Sequence, residues 1–271
     1  MNTSFKKRLK QGEQLYGIML SEIYVPNIAR LLAKSGYDFL LVDCEHGYFD
    51  LTEVANIIAV AEGCNLPVVV RVQQPNRILV TKYLDMGATG ILLSDVGSAQ
   101  EAKKLVEICY YAPKGDRGIS TFRAHTGYQN GNLPEIMCLA NEKVTVICQI
   151  ESPNAVEEVK EILSIDGVDG VLIGPNDLTQ HMNCVGQYTH PDVQTAMRHV
   201  AHQAELANKW SGVITSNMGL LKSCAAMGMR CFSVGSELSA LYSAASKQLA
   251  QAKEFTGKDV EQCGKQTIST D

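Results

Sequence analysis

No run of arginine and lysine longer than the Lys6-Lys7-Arg8 trio occurs in this chain, and its formal net charge is -5. A nucleic-acid binder needs a basic face or stripe, so that class is excluded, and the trio is read as part of a solvated helix face. No stretch approaches the roughly eighteen consecutive apolar residues of a membrane span. The opening MNTSFKKRLKQGEQ has no apolar segment after its positive charges, so it is not expected to be a secretory signal. The nine cysteines include no Cys-x-x-Cys pair. Reduced, mostly buried thiols of a cytoplasmic protein are expected. No glycine-rich dinucleotide fingerprint follows any apolar run. None of those runs ends in lysine either, Lys143 preceding one instead, so Schiff-base chemistry is not expected.

What is present is regular. With 45% hydrophobic and 20% charged residues, the 271-residue chain can bury a sizeable core. Eight nearly continuous apolar runs, at 15-20, 39-43, 67-72, 90-94, 144-150, 167-174, 210-215 and 231-236, read as strands covered on both faces. Between them Asp50-x-x-Glu53, Ser98-x-x-Glu101 and Asn154-x-x-Glu157 match helix-starting capping boxes. After Pro191, residues Val193, Met197, Val200, Ala204 and Ala207 share one helical stripe. Eight β/α units predict an α/β fold, a (β/α)8 TIM barrel forming one domain over 1-271, with a doubly wound open sheet as the rival. The long connection 111-143, carrying Arg117, Arg123 and His125, is expected to be an active-site lid. The polar tail 256-271 is expected to be mobile or to hold an oligomer contact.

In barrel enzymes the site lies at the C-terminal ends of the strands, so what each run meets is informative. The second meets DCEHGYFD, the third Arg71, the fourth Ser94-Asp95, the fifth Gln149 and Glu151, the sixth GPND, and the last two Thr215-Ser216 and Gly235 with Glu237. Glu151 and Asp177 end neighbouring strands, and two like charges at close range need a cation or a shared proton. Oxygen donors without clustered Cys or His indicate a hard divalent ion, Mg2+ or Mn2+. The alternative is Asp177 stabilising a helix start with Glu151 solvated. His46, beside Asp43 and Glu45, suits proton transfer near neutral pH. His125, His181, His190, His199 and His202 are read as structural. Cys44-x-His46 and His181-x-x-Cys184 lack a second ligand pair, so zinc is not expected. Arg71 suits a carboxylate or an enolate oxygen, or a salt bridge to a barrel carboxylate.

In order, DCEHG, VVVRV, LDMGATGILL, YAPKGDRG, CQIESPNAVE and GVDGVLIGPNDL resemble the metal-dependent pyruvate aldolases of the HpcH/HpaI family, which split 4-hydroxy-2-oxo acids. The resemblance runs from about Gly17 to Gly235. It implies that Glu151 and Asp177 ligate Mg2+, Mn2+ or Co2+, and that His46 with Asp43 is the acid-base pair. It further implies that Arg71 lies beside the keto oxygen, Gln149 faces the substrate, and the backbone of Gly174, Pro175, Asn176 and Asp177 takes the pyruvate carboxylate, as helix starts favour anions. A homo-oligomer is also implied, a hexamer in which an acidic residue near Asp85 reaches a neighbour's site. Two places depart from the family: Ser94-Asp95 stands where Val-Pro is usual, and Ser236-Glu237 where Val-Asp is usual. Asp95 is expected to lie off the chelate, so that Asp95→Pro alters aldehyde acceptance and spares pyruvate binding.

The expected activity is reversible class II cleavage of a 4-hydroxy-2-oxo acid to pyruvate and an aldehyde, with small molecules as partners and neither nucleic acid nor membrane. A citrate-lyase-like or malyl-thioester lyase is one alternative, although no basic cluster is found for coenzyme A. A non-catalytic oxo-acid-binding barrel is another, kept open by Ser94-Asp95.

Overall fold

A computed structural model describes residues 4–256. Its first half comprises α1 (Phe5–Lys10), β1 (Leu15–Leu20), α2 (Ile28–Lys34), β2 (Phe39–Asp43), α3 (Leu51–Glu62), β3 (Val68–Val72), α4 (Arg77–Asp85), β4 (Gly90–Leu93) and α5 (Ala99–Cys109). The second half comprises α6 (Leu133–Lys143), β5 (Thr145–Ile150), α7 (Pro153–Ser164), β6 (Gly170–Ile173), α8 (Pro175–His181), α9 (Pro191–Leu206), β7 (Trp210–Thr215), α10 (Met218–Ala226), β8 (Cys231–Ser236) and α11 (Glu237–Phe255). The strands pair in parallel, in sequence order, and β8 returns to β1 to close a (β/α)8 barrel. Closure excludes the open-sheet rival.

Side chains alternate between the faces of a strand, and here the alternation decides where chemistry can occur. Phe39, Leu41, Val69, Leu92, Ile147, Leu172 and Trp210 belong to the cluster inside the barrel, while residues of the opposite parity pack outward on the helices. Gly17 admits the Phe39 ring, because a Cβ there would collide with it. Phe5 of α1 closes the pole where the strands begin, its ring 5.1 Å from that of Phe39. Beside it Lys6 reaches Asp169 at 2.9 Å. Continuing the inward parity past these apolar layers brings Asp43, Arg71, Ser94, Gln149 and Glu151 to the opposite pole, the mouth.

The helix starts follow the sequence with one correction. Asp50 and Glu53 form the reciprocal capping box of α3. Ser98 caps α5, although Glu101 turns its carboxylate to the Gly97 amide. The box expected at Asn154 is absent: Ser152 caps α7 and Pro153 takes the first helical position, which its fixed φ favours. Asn154 instead donates its side-chain amide to Gly97 O at 2.7 Å, tying together the loops after β5 and β4. On α9 the predicted stripe is buried from Val193 to Ala204, and Ala207 lies just beyond the helix as its C-cap.

The segment 111-143 departs further from expectation. Its last third is α6, and because it joins the end of α5 to the start of β5 it begins and ends at the pole opposite the mouth. There Arg117 Nη2 bonds Asp85 Oδ1 at 2.6 Å and the guanidinium lies 4.7 Å from the Tyr111 ring centre. Tyr111 OH meets His125 Nε2 at 3.0 Å. Burial and the Arg117 charge push His125 down to about 4, so this ring is neutral. Asp116 Oδ1 accepts Arg77 Nη1 at 2.6 Å at the start of α4, but among the described residues no side chain of the segment bonds to Asp43, Glu45, Arg71, Gln149, Glu151 or Asp177. Within its own chain the segment is a partly helical strap, with Arg117 tying it to Asp85 at the far pole. Of the tail, Thr256 caps α11, and 257-271 lie outside the described residues.

Candidate active site

Arg71 closes β3 and is 7% exposed. Its Nε donates to Asp43 Oδ1 at 2.9 Å and its Nη2 to Asp43 Oδ2 at 2.6 Å, a bidentate pair between adjacent strands. Nη1 lies 3.2 Å from Glu45 Oε2, and Glu45 Oε1 accepts the Ser94 hydroxyl at 2.7 Å. Burial would raise the Asp43 carboxyl. The Arg71 hydrogen bonds and charge, with the amides of Glu45 and His46, outweigh that and hold it below the usual range.

Beside this network Glu151 is 4% exposed. Oε1 accepts the Asp95 amide at 2.6 Å, and Oε2 accepts the side-chain amide of Gln149. Burial raises its carboxyl, those two hydrogen bonds oppose the rise, and the nearby charges of Asp177 and Glu45 add to it. Gly174 forms the floor: a Cβ there would collide with Glu151 Oε2 and lie 2.8 Å from Gln149 Nε2. Asp177 sits in the first turn of α8, and its side chain makes no protein hydrogen bond among the described residues. The first-turn amides of Asn176 and Asp177 have no intrahelical acceptor, whereas Pro175 has no N–H and can only shape the turn. His181 Nδ1 meets Glu151 O at 2.9 Å.

His46 is presented differently from the expectation. Asp43 does not touch the ring; its Oδ1 accepts the His46 backbone amide at 3.3 Å, and the nearest carboxylate to Nε2 is Glu45 at 4.0 Å. Asp43 therefore orders the turn and Arg71 rather than the imidazole, so the direct Asp43-His46 pairing is corrected. Glu45 was the residue least visible in the sequence. The sequence offered it as an acidic neighbour of His46, and its role emerges from the bonds to Arg71 and Ser94. A half-open pocket of about 380 Å³ lined by Arg8, Asp38, Arg117, His125 and Lys143 lies at the other pole, away from these groups.

The family model for HpcH/HpaI aldolase/citrate lyase matches residues 19–244. The chain belongs to this family. A 4-hydroxy-2-oxo-heptane-1,7-dioate aldolase of Salmonella typhimurium is 35% identical over 87% of this chain and 89% of its own. A 2-keto-3-deoxy-L-rhamnonate aldolase of Klebsiella pneumoniae is 31% identical over 96% of this chain and 97% of its own. The crystal structure of an HpcH/HpaI aldolase from Desulfitobacterium hafniense superposes with a TM-score of 0.88 at 30% identity, covering 93% of this chain and 98% of that one. These relatives are aldolases, and the chain is an enzyme of the carbon-carbon lyase class.

Within this HpcH/HpaI chain the departure at Ser94-Asp95 acquires a structural reason. Ser94 anchors Glu45, and Asp95, at φ 48°, gives its amide to Glu151. Asp95→Pro would delete that N–H and demand φ near about −65°. It is thus expected to disturb Glu151, contrary to the sequence expectation that it spares pyruvate binding. Asp95→Gly keeps the amide and the left-handed backbone while deleting the carboxylate. In a Mn2+ titration Pro is expected to weaken binding about tenfold, the value of one charge-assisted hydrogen bond, and Gly to change it little. Equal losses in the two variants would refute the role of the amide.

Proposed function

We propose that this protein is a divalent-metal-dependent class II aldolase that reversibly cleaves a 4-hydroxy-2-oxo acid into pyruvate and an aldehyde. The observation that carries this reading is the buried Glu151 carboxyl, held by the Asp95 amide and the Gln149 side chain in the same mouth as the Arg71-Asp43 pair, with Asp177 in the first turn of α8. Aldolases of the family depend in general on a divalent metal. The donor set fits one: two carboxylates and, at Gln149 Oε1, a buried acceptor without a protein partner. Among the described residues no three His, Cys, Asp or Glu gather as ligands, so the charged donors to the ion would be Glu151 and Asp177. Such a two-carboxylate seat suits Mg2+, Mn2+ or Co2+, which retain positions for water or substrate oxygens. When bound, the ion supplies Lewis acidity toward the carboxylate and 2-oxo oxygens of the substrate.

The chain's own residues do the rest. Arg71, fixed by Asp43 and Glu45, offers its guanidinium to the keto oxygen, where negative charge grows as the C3–C4 bond breaks. The free amides of Asn176 and Asp177 accept the substrate carboxylate, and Gly174 keeps the floor clear. His46, at the rim with its side chain 73% exposed, takes the proton of the C4 hydroxyl.

A homo-oligomer is part of the same proposal. Helix α11 buries only Glu237 and leaves Leu241, Tyr242, Leu249 and Phe255 exposed, an apolar surface suited to a second copy. Among the described residues, no helix is long and apolar enough to cross a membrane.

The test needs no aldehyde. Pyruvate incubated with the protein and Mg2+ in D2O is expected to lose its methyl proton signal, because enolate formation uses only the pyruvate half of the site. Borohydride is expected to trap no adduct on lysine. Absence of exchange in a folded, metal-loaded sample would remove the pyruvate-aldolase proposal.

A further inference from the structure

The first residue of α11, Glu237, is 4% exposed, and the chemistry above gives it no part. Its Oε1 accepts the backbone amides of Ser21 and Glu22 at 2.8 Å and that of Ile23 at 3.2 Å. The Ser21 hydroxyl approaches its two oxygens at 3.3 and 3.4 Å. One side chain just after β8 thus gathers three successive amides of the turn after β1. On its other side that turn supports the loop after β2. Ser21 O accepts the Tyr48 amide at 3.2 Å. A Cβ on Gly47 would collide with Asp43 O and lie 2.7 Å from Ser21 O, so the two backbones are wedged together. His46 stands between Asp43 and these contacts. Among the described residues its ring has no side-chain partner closer than Glu45 at 4.0 Å, so its aim is set by the backbone turn that carries it.

We propose that Glu237 is a positioning residue for His46, acting through the Ser21 backbone to fix the 44-48 turn across the β8-β1 closure. Only the proton-transfer role of His46 rests on the aldolase proposal; the mechanical link does not.

Hydrogen exchange by mass spectrometry tests the link directly. Glu237→Ala is expected to speed deuterium uptake about tenfold in peptides covering both 21-23 and 44-48, since three amides lose their acceptor. Glu237→Asp keeps the charge at the start of α11 but is one methylene too short, and it carries the test should alanine prevent folding. Faster uptake at 21-23 alone, or at neither, overturns the relay. In parallel, cleavage of 4-hydroxy-2-oxo-heptane-1,7-dioate is expected to fall about tenfold relative to pyruvate proton exchange, with Glu237→Gln, which keeps an acceptor oxygen, restoring most of the ratio. An unchanged ratio overturns the positioning of His46. Wild-type protein that neither exchanges nor cleaves refutes the aldolase proposal instead, and the uptake result still decides the link.

Discussion

Glu151→Ala and Asp177→Ala are each expected to reduce metal-dependent pyruvate proton exchange by about a thousandfold or more, because Lewis-acid stabilisation of the enolate is worth several kcal/mol and each 1.36 kcal/mol is tenfold. Chelation with EDTA should reproduce the loss in the wild type, and added Mg2+, Mn2+ or Co2+ should reverse it there and in neither variant. Stability supplies an independent readout. The Glu151 carboxyl is raised, so the fold disfavours its ionised form. In metal-free protein this costs stability as pH rises from the usual carboxylate range through the raised value. Glu151→Gln removes the cost and is expected to hold or increase the neutral-pH Tm while abolishing exchange. Mg2+ should raise the Tm of the wild type and leave that of Glu151→Gln unchanged. A Tm response to metal that survives in both Glu151→Gln and Asp177→Ala would place the ion elsewhere.

Arg71→Ala is expected to damage both stability and chemistry. It leaves Asp43 and Glu45 without the guanidinium that pairs with both, and breaking a buried pair by removing one partner costs about 3–5 kcal/mol. Exchange should fall on the order of a hundredfold beyond the effect of unfolding, as charge stabilisation at the keto oxygen is lost. The penalty has a pH signature. Asp43 is depressed in the wild type, so its contribution is present above the unfolded carboxylate value and lost as pH falls through the depressed one. Without Arg71, burial dominates and the carboxyl rises. The stability gap between wild type and variant is therefore expected to be widest near neutrality and to shrink in acid, as read by urea unfolding at several pH values. A gap independent of pH would show that Arg71 acts by packing alone. Arg71→Lys should recover little exchange, since an ammonium cannot span both Asp43 oxygens and Glu45.

Much of this was legible in the chain. The eight runs became the eight strands, with shifts confined to their ends, because strands covered on both faces require continuous apolar sequence. Asp43, Arg71, Gln149 and Glu151 were legible as mouth residues because each extends the inward parity of its own strand. The misplaced capping box shows the limit of such spacing: Asn154 and Glu157 had the right interval, but Pro153 had already set the first turn, and Ser152 filled the cap. The tie of 111-143 at the far pole was not legible, because length and charge mark a connection as unusual without saying at which pole it is tied.

The sequence by itself determined the barrel, the family and the set of polar residues delivered to one pole, since these follow from period, spacing and local turn chemistry along a single stretch. Only the tertiary structure decided which partner each of those residues takes. Asp43 could have met His46 and instead met Arg71. Glu45 joined Arg71 to Ser94, the Asp95 amide went to Glu151, and Glu237 reached back across the closure to Ser21. Those pairings link residues from different strands, and they depend on register and barrel closure, which bring together groups as far apart in the chain as Ser21 and Glu237 and which no local pattern encodes.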